Sequence, residues 1–517
     1  MLAPTKKQQT ARTTSIPAPI KGLNAKDSIA AMTPDFAIIL DNMTCSPTTV
    51  DSRKGSVNWA TGLGGNVETI AHYRSPTQGN LIAAANSNIF DATASGPVGA
   101  PKVSGLANNR WQWTNFATPG GNFLYMVNGA DNPVLYDGTT YNRVSQISSP
   151  YAITGVDPST FIHVNAFQNR LWFIPVNSLT PYYLPSEAVA GVASPFPLGS
   201  VFQMGGYIMA MMTWTIDNAN GVQDYAVFIT SEGEVAIYQG YDPDFAATFT
   251  LVGLFVIGRP VGRRCFVKIA SDNCVICSDG IVSLSKELTT DRDISQSFSY
   301  NIQNTINNDV TTFRNNWGWQ PVYYPAGTKL IVNVPSDEDN TSYQYVMNTI
   351  TGAWSSWNKE NPGYQALCWD VFEDILYFGT NGAVVVGDTN MDDNGVAIRW
   401  DMLPAYSYFG DLGQEKYFTM ARPIILSTDK VSLSYILCTD YETVAPTVPP
   451  LSVTTGAAWD TSPWDTTPWG GSPVLNKQWL GIGGIGYAAS LRINGLTQGL
   501  TASIQSIDYV YEVGGVL

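Results

Sequence analysis

Residues Asp224 to Tyr238 read DYAVFITSEGEVAIY: a polar start, an apolar run, a Glu232-Gly233 turn and a second apolar run. The same phrase opens at Asn80 (NLIAAANSNIF), Asn122 (NFLYMVNGADNPVLY), Asn169 (NRLWFIPVNSLTPYYL), Asn273 (NCVICSDGIVSL), Lys329 (KLIVNVPSDEDNTSYQYVM) and Asp374 (DILYFGTNGAVVV). Successive starts lie 42, 47, 55, 49, 56 and 45 residues apart. One small sheet per such interval builds a β-propeller. Asn128-Gly129, Asp137-Gly138, Glu232-Gly233, Asp279-Gly280 and Asn381-Gly382 separate apolar runs and supply the positive φ of tight turns. Period-two alternation is clearest around Ala226, Phe228, Val235 and Ile237, and other repeats are apolar on both faces, as central strands are.

Outward from the array, the expected fold is all-β: a β-propeller of six or seven blades over residues 36–395, an extended N-terminal arm over 1–35 and a C-terminal β-sandwich-like domain over 396–517. The arm is polar and basic, with Pro17 and Pro19. PDFAIILDNM and TVDSRKGSVNW read as strands leading into the first repeat near Val67, and an N-terminal strand is a candidate to complete the last sheet. Ser295 to Val310 is one of few helical stretches. After Gly395 a Pro/Thr/Trp-rich loop (Pro446 to Pro473) separates strand-like runs such as KVSLSYILC and YAASLRING.

Composition sets limits on function. A chain of 517 residues exceeds one hydrophobic core. Apolar residues are 44%, charged ones 13% and aromatics 12%, with 15 Trp and 26 Tyr; these fill blade cores or form subunit contacts. Acidic residues outnumber basic ones 42 to 27, for a net charge of −15. That disfavours tight nucleic-acid binding while allowing a polyanion to slide past. Six cysteines make no disulfide framework and read as buried thiols. Neither a signal peptide nor an apolar run long enough to span a membrane is expected.

The chemical motifs are weak. Gly481 to Gly486 matches GxGxxG, but a strand rather than a helix follows, so no cofactor is expected. Cys274 and Cys277 have CxxC spacing, yet in a strand they point to opposite faces. His72 and His163 are the only histidines, which argues against catalysis by a His-dependent triad. Asn390, Asp392, Asn394 and Asp401 resemble half of a calcium loop and are the weak candidates for an ion; an Asx-rich linker is the plainer reading. Ser336 to Asn340 reads as a solvated hairpin tip. Trp459, Trp464 and Trp469 recur every five residues beside carboxylates, as a glycan grip or a packed assembly loop. Arg259, Arg263 and Arg264 (RPVGRR) are the densest basic segment of the array, suited to a subunit interface or to phosphate contact.

Several long phrases resemble the tail nozzle (tail tubular, or packaged-DNA stabilisation) proteins of short-tailed bacteriophages. They are PAPIKGLNAKDSIAAMTPDFAIILDNM, SRKGSVNWATGL, NFATPGGNFLYMVNGADNPVLYDGTTY, FQNRLWFIPVNSLTPYYLP, MGGYIMAMMTWTIDNANGVQDYAVFITSEGEVAIYQGYDP, GLFVIGRPVGRRCFVKIASDNCVICSDGIVSLSK and YQYVMNTITGAWSSW. Together they span most of residues 17 to 390. The resemblance implies a propeller with attached β domains, made in the host bacterial cytoplasm and built into the virion tail. Six copies would form a ring below the portal and adaptor, with tail fibre or needle proteins as further partners, closing the channel until DNA is ejected. The alternative from another class is a glycan-binding or glycan-hydrolysing propeller tail protein. The sialidase S-x-D-x-G-x-T-W boxes are not evident; the nearest phrase, Thr351 to Trp354, lacks the Asp.

Overall fold

The computed structural model describes residues 11–218, 221–270, 272–289, 297–450 and 473–514. Each of the seven repeated phrases supplies the second and third strands of a sheet unit. The units are, in chain order, Val67 to Ser104, Gln112–Arg143, Phe161 to Pro195, Ile208 to Val256, Phe266 to Ser283, Gln320 to Trp357, and Cys368 to Gly387 joined by Ser56 to Thr61. First strands of successive units pack against one another, and the last returns to the first, in a propeller-like ring. Gly129, Gly138, Gly233, Gly280 and Gly382 all have positive φ, as the turn pairs require. Strand Ile375–Gly387 folds back at Asn381-Gly382, so closely that a Cβ at Gly387 would meet the Phe378 ring at 3.3 Å.

Ring closure uses one long strand. Ser56–Arg74 gives residues 56–61 to the last unit, where Ala60 pairs with Val384, and residues 67–74 to the first, where Ile70 pairs with Ala83. The change of sheet falls at Gly62 and Gly64, with φ of 83° and 75°, conformations that side chains with a Cβ resist. The N-terminal completion of the last sheet is therefore present.

The cores lie between neighbouring sheets. Cys274 faces one core and Cys277 the next, as strand geometry demands. Trp111, Trp172, Trp319, Trp354, Trp357, Trp369 and Trp400 are fully buried, so about half of the tryptophans fill cores rather than surfaces. The helix Gln303–Phe313 starts later than the stretch expected and packs Ile306 and Val310 between the fifth and sixth units. Among the described residues no helix is long and apolar enough to cross a membrane.

The second module is a sandwich built from both ends of the chain. One sheet contains Arg12–Pro17, Met43–Cys45, Val50–Ser52, Lys416–Ser427, Val474–Asn476, Leu480–Gly486 and Ala502–Val513. The other continues the sixth unit through Ala37–Asp41, Ile398–Pro404, Ala489–Thr497 and Ser432–Thr439. Leu40, Met43, Val50, Trp400, Phe418, Leu491 and Ile504 share its core. Two boundaries thus differ from those read in the sequence. The arm is a strand paired along Ala502–Val513, Arg12 opposite Tyr511, and residues 37–52 belong with the C-terminal strands rather than the propeller. The reason is edge closure: the unpaired edges of the C-terminal strands are satisfied by the nearest free strands, which come from the other terminus.

Candidate functional site

Polar side chains on the first strands tie neighbouring units together around the ring centre. His72 Nδ1 bonds Asp370 Oδ2 at 2.8 Å, linking first and last units. Asn115 donates to the His72 carbonyl at 2.9 Å, and Asn165 to Thr213 Oγ1 at 3.0 Å. His163 Nε2 donates to the Met211 carbonyl at 2.8 Å, and Gln320 to the Trp369 carbonyl at 2.8 Å. Buried, His163 has its pKa lowered to about 4, by desolvation first.

On one face of this ring the connecting loops enclose a cavity of about 860 Å³. Asn108 to Arg110 enter from between the first two units, Tyr207 from before the fourth and Met209 from the start of its first strand, Arg259 to Arg263 from after it, and Arg314 to Trp317 from behind the helix. Gly262, at φ 72°, lets the arginine loop pass close to Trp319; a Cβ there would meet the Trp319 Cβ at 3.3 Å.

Arg264 sits at the middle. Its guanidinium donates to the Glu68 carbonyl at 3.1 Å, Thr69 Oγ1 at 2.7 Å and the Trp111 carbonyl at 2.8 Å. It also lies 5.1 Å from the Trp317 ring centroid. Burial pulls its pKa down, and neutral acceptors on both terminal nitrogens make the buried charge tolerable. Arg110 also stacks on Trp317, at 5.3 Å. Glu68 holds it at 2.7 Å, Glu338 at 2.8 Å and Asp339 at 3.3 Å. Burial is the largest influence on Arg110 and lowers its pKa, but the bonds from Glu68 and Glu338 outweigh it and the pKa rises. Arg259, exposed at the rim, pairs with Glu232 at 2.5 Å. Arg263 donates to the Asn128 carbonyl at 3.3 Å. A set of arginines and arginine-held carboxylates is suited to recognising charge, since guanidinium keeps its charge throughout the ordinary pH range.

The candidates read from the sequence distribute unevenly. Arg259 and Arg263 line one site, whereas Arg264 turns its guanidinium to acceptors within the subunit. Asp401 is drawn away from the Asn390 loop: Arg492 grips it at 2.5 and 3.1 Å in the sandwich. Asp392 caps Gly395 N at 2.8 Å, and Asn394 Oδ1 accepts from Asn58 N at 3.4 Å. Asn390 contributes its carbonyl to Gly55 N at 2.5 Å. These are the bonds of a linker, and among the described residues no His, Cys, Asp or Glu cluster suits a metal. The GxGxxG stretch is the strand Leu480–Gly486. Trp459, Trp464 and Trp469 lie outside the described residues. Glu68, Arg110, Arg314 and Trp317 stood out by no motif; Ser336 to Asn340 is an exposed hairpin tip, as read, and its Glu338 and Asp339 also pair with Arg110. They come from three separate stretches, Glu68 to Arg110, Arg314 to Trp317 and Glu338 to Asp339, so only the ring brings them together.

No protein-family model and no curated protein matches the chain. Solved structures similar to it include BBS1N in complex with ARL6DN, at 9% identity and TM-score 0.38, covering 65% of this chain and 96% of that one. YCF48 from Cyanidioschyzon merolae is 10% identical at TM-score 0.35, covering 67% and 97%. Raptor from Chaetomium thermophilum is 9% identical at TM-score 0.39, covering 65% and 29%. Likeness at this level does not bear on what the chain does.

Proposed function

We propose that the chain is a structural, non-catalytic virion protein: the tail nozzle subunit of a short-tailed bacteriophage. Six copies extend the portal and adaptor channel, retain packaged DNA and open for its ejection, with tail fibre or needle proteins as further partners. The observation that carries this reading is the run of long phrases between Pro17 and about residue 390 that resemble that family. A propeller fused to a β module agrees with what the resemblance implies. The net charge of −15 suits a wall past which a polyanion slides. In this reading the conduit runs between subunits, because Arg264 reaches across the propeller to the Glu68 and Trp111 carbonyls of the opposite side.

The outer edge of the fourth unit supports assembly. Strand Phe249–Val256 is the last of its sheet and exposes Leu251, Val252 and Val256, with Tyr241 and Phe245 exposed in the loop before it. An apolar edge of this kind is covered in a working particle or it aggregates. Cryo-electron microscopy of the native particle, or of the chain mixed with its adaptor ring, tests the proposal. A six-fold ring of propellers around an axial channel is the expected result. Monomeric or peripheral density would overturn it and favour the glycan-directed tail protein.

A further inference from the structure

The cavity on the ring face is lined by four arginines against three carboxylates, in a chain that is acidic as a whole. Arg110, Arg259, Arg263 and Arg314 line it, against Glu68, Glu232 and Asp339. All three carboxylates are committed, Glu68 and Asp339 to Arg110 and Glu232 to Arg259, and Glu338 beside the cavity is likewise taken up by Arg110. Among the described residues, neither Arg263 nor Arg314 forms an ion pair, and Arg263 has only the Asn128 carbonyl, at 3.3 Å. Two unneutralised guanidinium groups therefore border one recess in a protein of net charge −15. Each is a rigid fork of donors that matches the oxygens of a phosphoryl or carboxylate group.

We propose that this cavity is a binding site for an oxyanion group, phosphoryl or carboxylate, borne on a small ligand and held by Arg263 and Arg314. A volume of about 860 Å³ is the size of a small-molecule site, so the body of the ligand lies against Tyr207, Met209 and Pro260. Burial first, and the charge of Arg110 among the remaining influences, holds the Arg263 pKa below its ordinary value; a bound anion opposes both.

The test is calorimetric titration of the full chain with inorganic phosphate and, separately, N-acetylglutamate. Saturable binding of one or both is expected, weakening as salt is raised. Preference between the two probes identifies the phosphoryl or the carboxylate source. Arg263→Gln and Arg314→Gln should each weaken binding roughly tenfold or more, the loss of a charge-assisted contact. Glu232→Gln should tighten it, because Arg259 is released toward the cavity. If Arg263→Gln fails to fold, as judged by circular dichroism, Arg314→Gln and Glu232→Gln decide in its place. Absence of binding by either probe up to about 50 mM, weaker than any useful affinity, overturns the proposal. So do unchanged affinities in the folded variants.

Discussion

Arg53 and Asp393 are almost completely buried where propeller meets sandwich, with contacts of 2.9 and 2.5 Å between guanidinium and carboxylate. Asn42 accepts from Arg53 Nε at 2.8 Å and donates to the Asn361 and Arg399 carbonyls at 2.8 Å each. Beside it, Asp41 accepts from Ser356 Oγ at 2.9 Å and from the Asn361 amide at 2.8 Å. Losing one partner of such a pair strands a buried charge, which costs more than the pair contributed when formed. Arg53→Ala is therefore expected to destabilise the protein by about 3–5 kcal/mol, measured by urea unfolding; a change under about 1 kcal/mol, the size of a surface pair, would refute this account of the junction. His163 gives a pH prediction. Its folded pKa of about 4 lies below its unfolded value of roughly 6.5. The unfolded chain thus binds the extra proton as pH falls from 6.5 to 4, and stability contributed in full above that window is lost through it. His163→Gln should show a shallower fall in Tm over this range, and equal slopes would count against the buried, neutral imidazole.

At the scale of elements, the seven units differ most at their outer edges. The fifth has three strands, and the helix Gln303–Phe313 covers the side where a fourth would lie. The sixth is extended, because Trp354–Trp357 pairs through Ser356 with Asp41 and carries the sheet into the sandwich. The fourth ends on the exposed strand Phe249–Val256. Charge on an exposed edge strand blocks edge pairing with little effect on the fold. Leu251→Asp with Val252→Asp should abolish oligomers in analytical ultracentrifugation while shifting monomer stability by about 0.5 kcal/mol or less, as surface substitutions do. Retention of the oligomer would move the interface elsewhere. The elements were largely legible beforehand, since each repeat carries its own turn pair and apolar runs. Strand counts were less so, because the short strands Gly96–Pro97 and Val103–Ser104 have no pattern of their own.

For the whole molecule, the decisive feature is that both chain ends build one module. Thr14 bonds Tyr511 at 3.2 Å across 497 positions, and Asn348 donates to the Cys45 carbonyl at 2.8 Å across 303. Removing residues 1–54 would strip four strands and uncover Trp400, Phe418 and Ile504. The truncated chain is expected to lose cooperative folding of the sandwich and to aggregate, as followed by circular dichroism and light scattering. A soluble product with an intact C-terminal melting transition would show that residues 12–52 are dispensable, as an arm would be. The six cysteines are buried, with Cys45, Cys265 and Cys368 pushed up to about 12 by burial first, so native protein should resist thiol reagents until it unfolds.

Read alone, the sequence determined the all-β class, the seven repeats, the turn positions and the opposed faces of Cys274 and Cys277. All of these rest on short-range rules: the two-residue period of a strand, and the positive φ that Gly supplies in a turn. Only the tertiary structure decided that Arg264 reaches across the ring, that Asp401 answers to Arg492 rather than to the Asn390 loop, and that the N-terminal strands complete the C-terminal sandwich. Those partners lie tens to hundreds of residues apart. Which of them meet is set by ring closure and by the need to satisfy sheet edges and buried charges, and no local pattern encodes that choice.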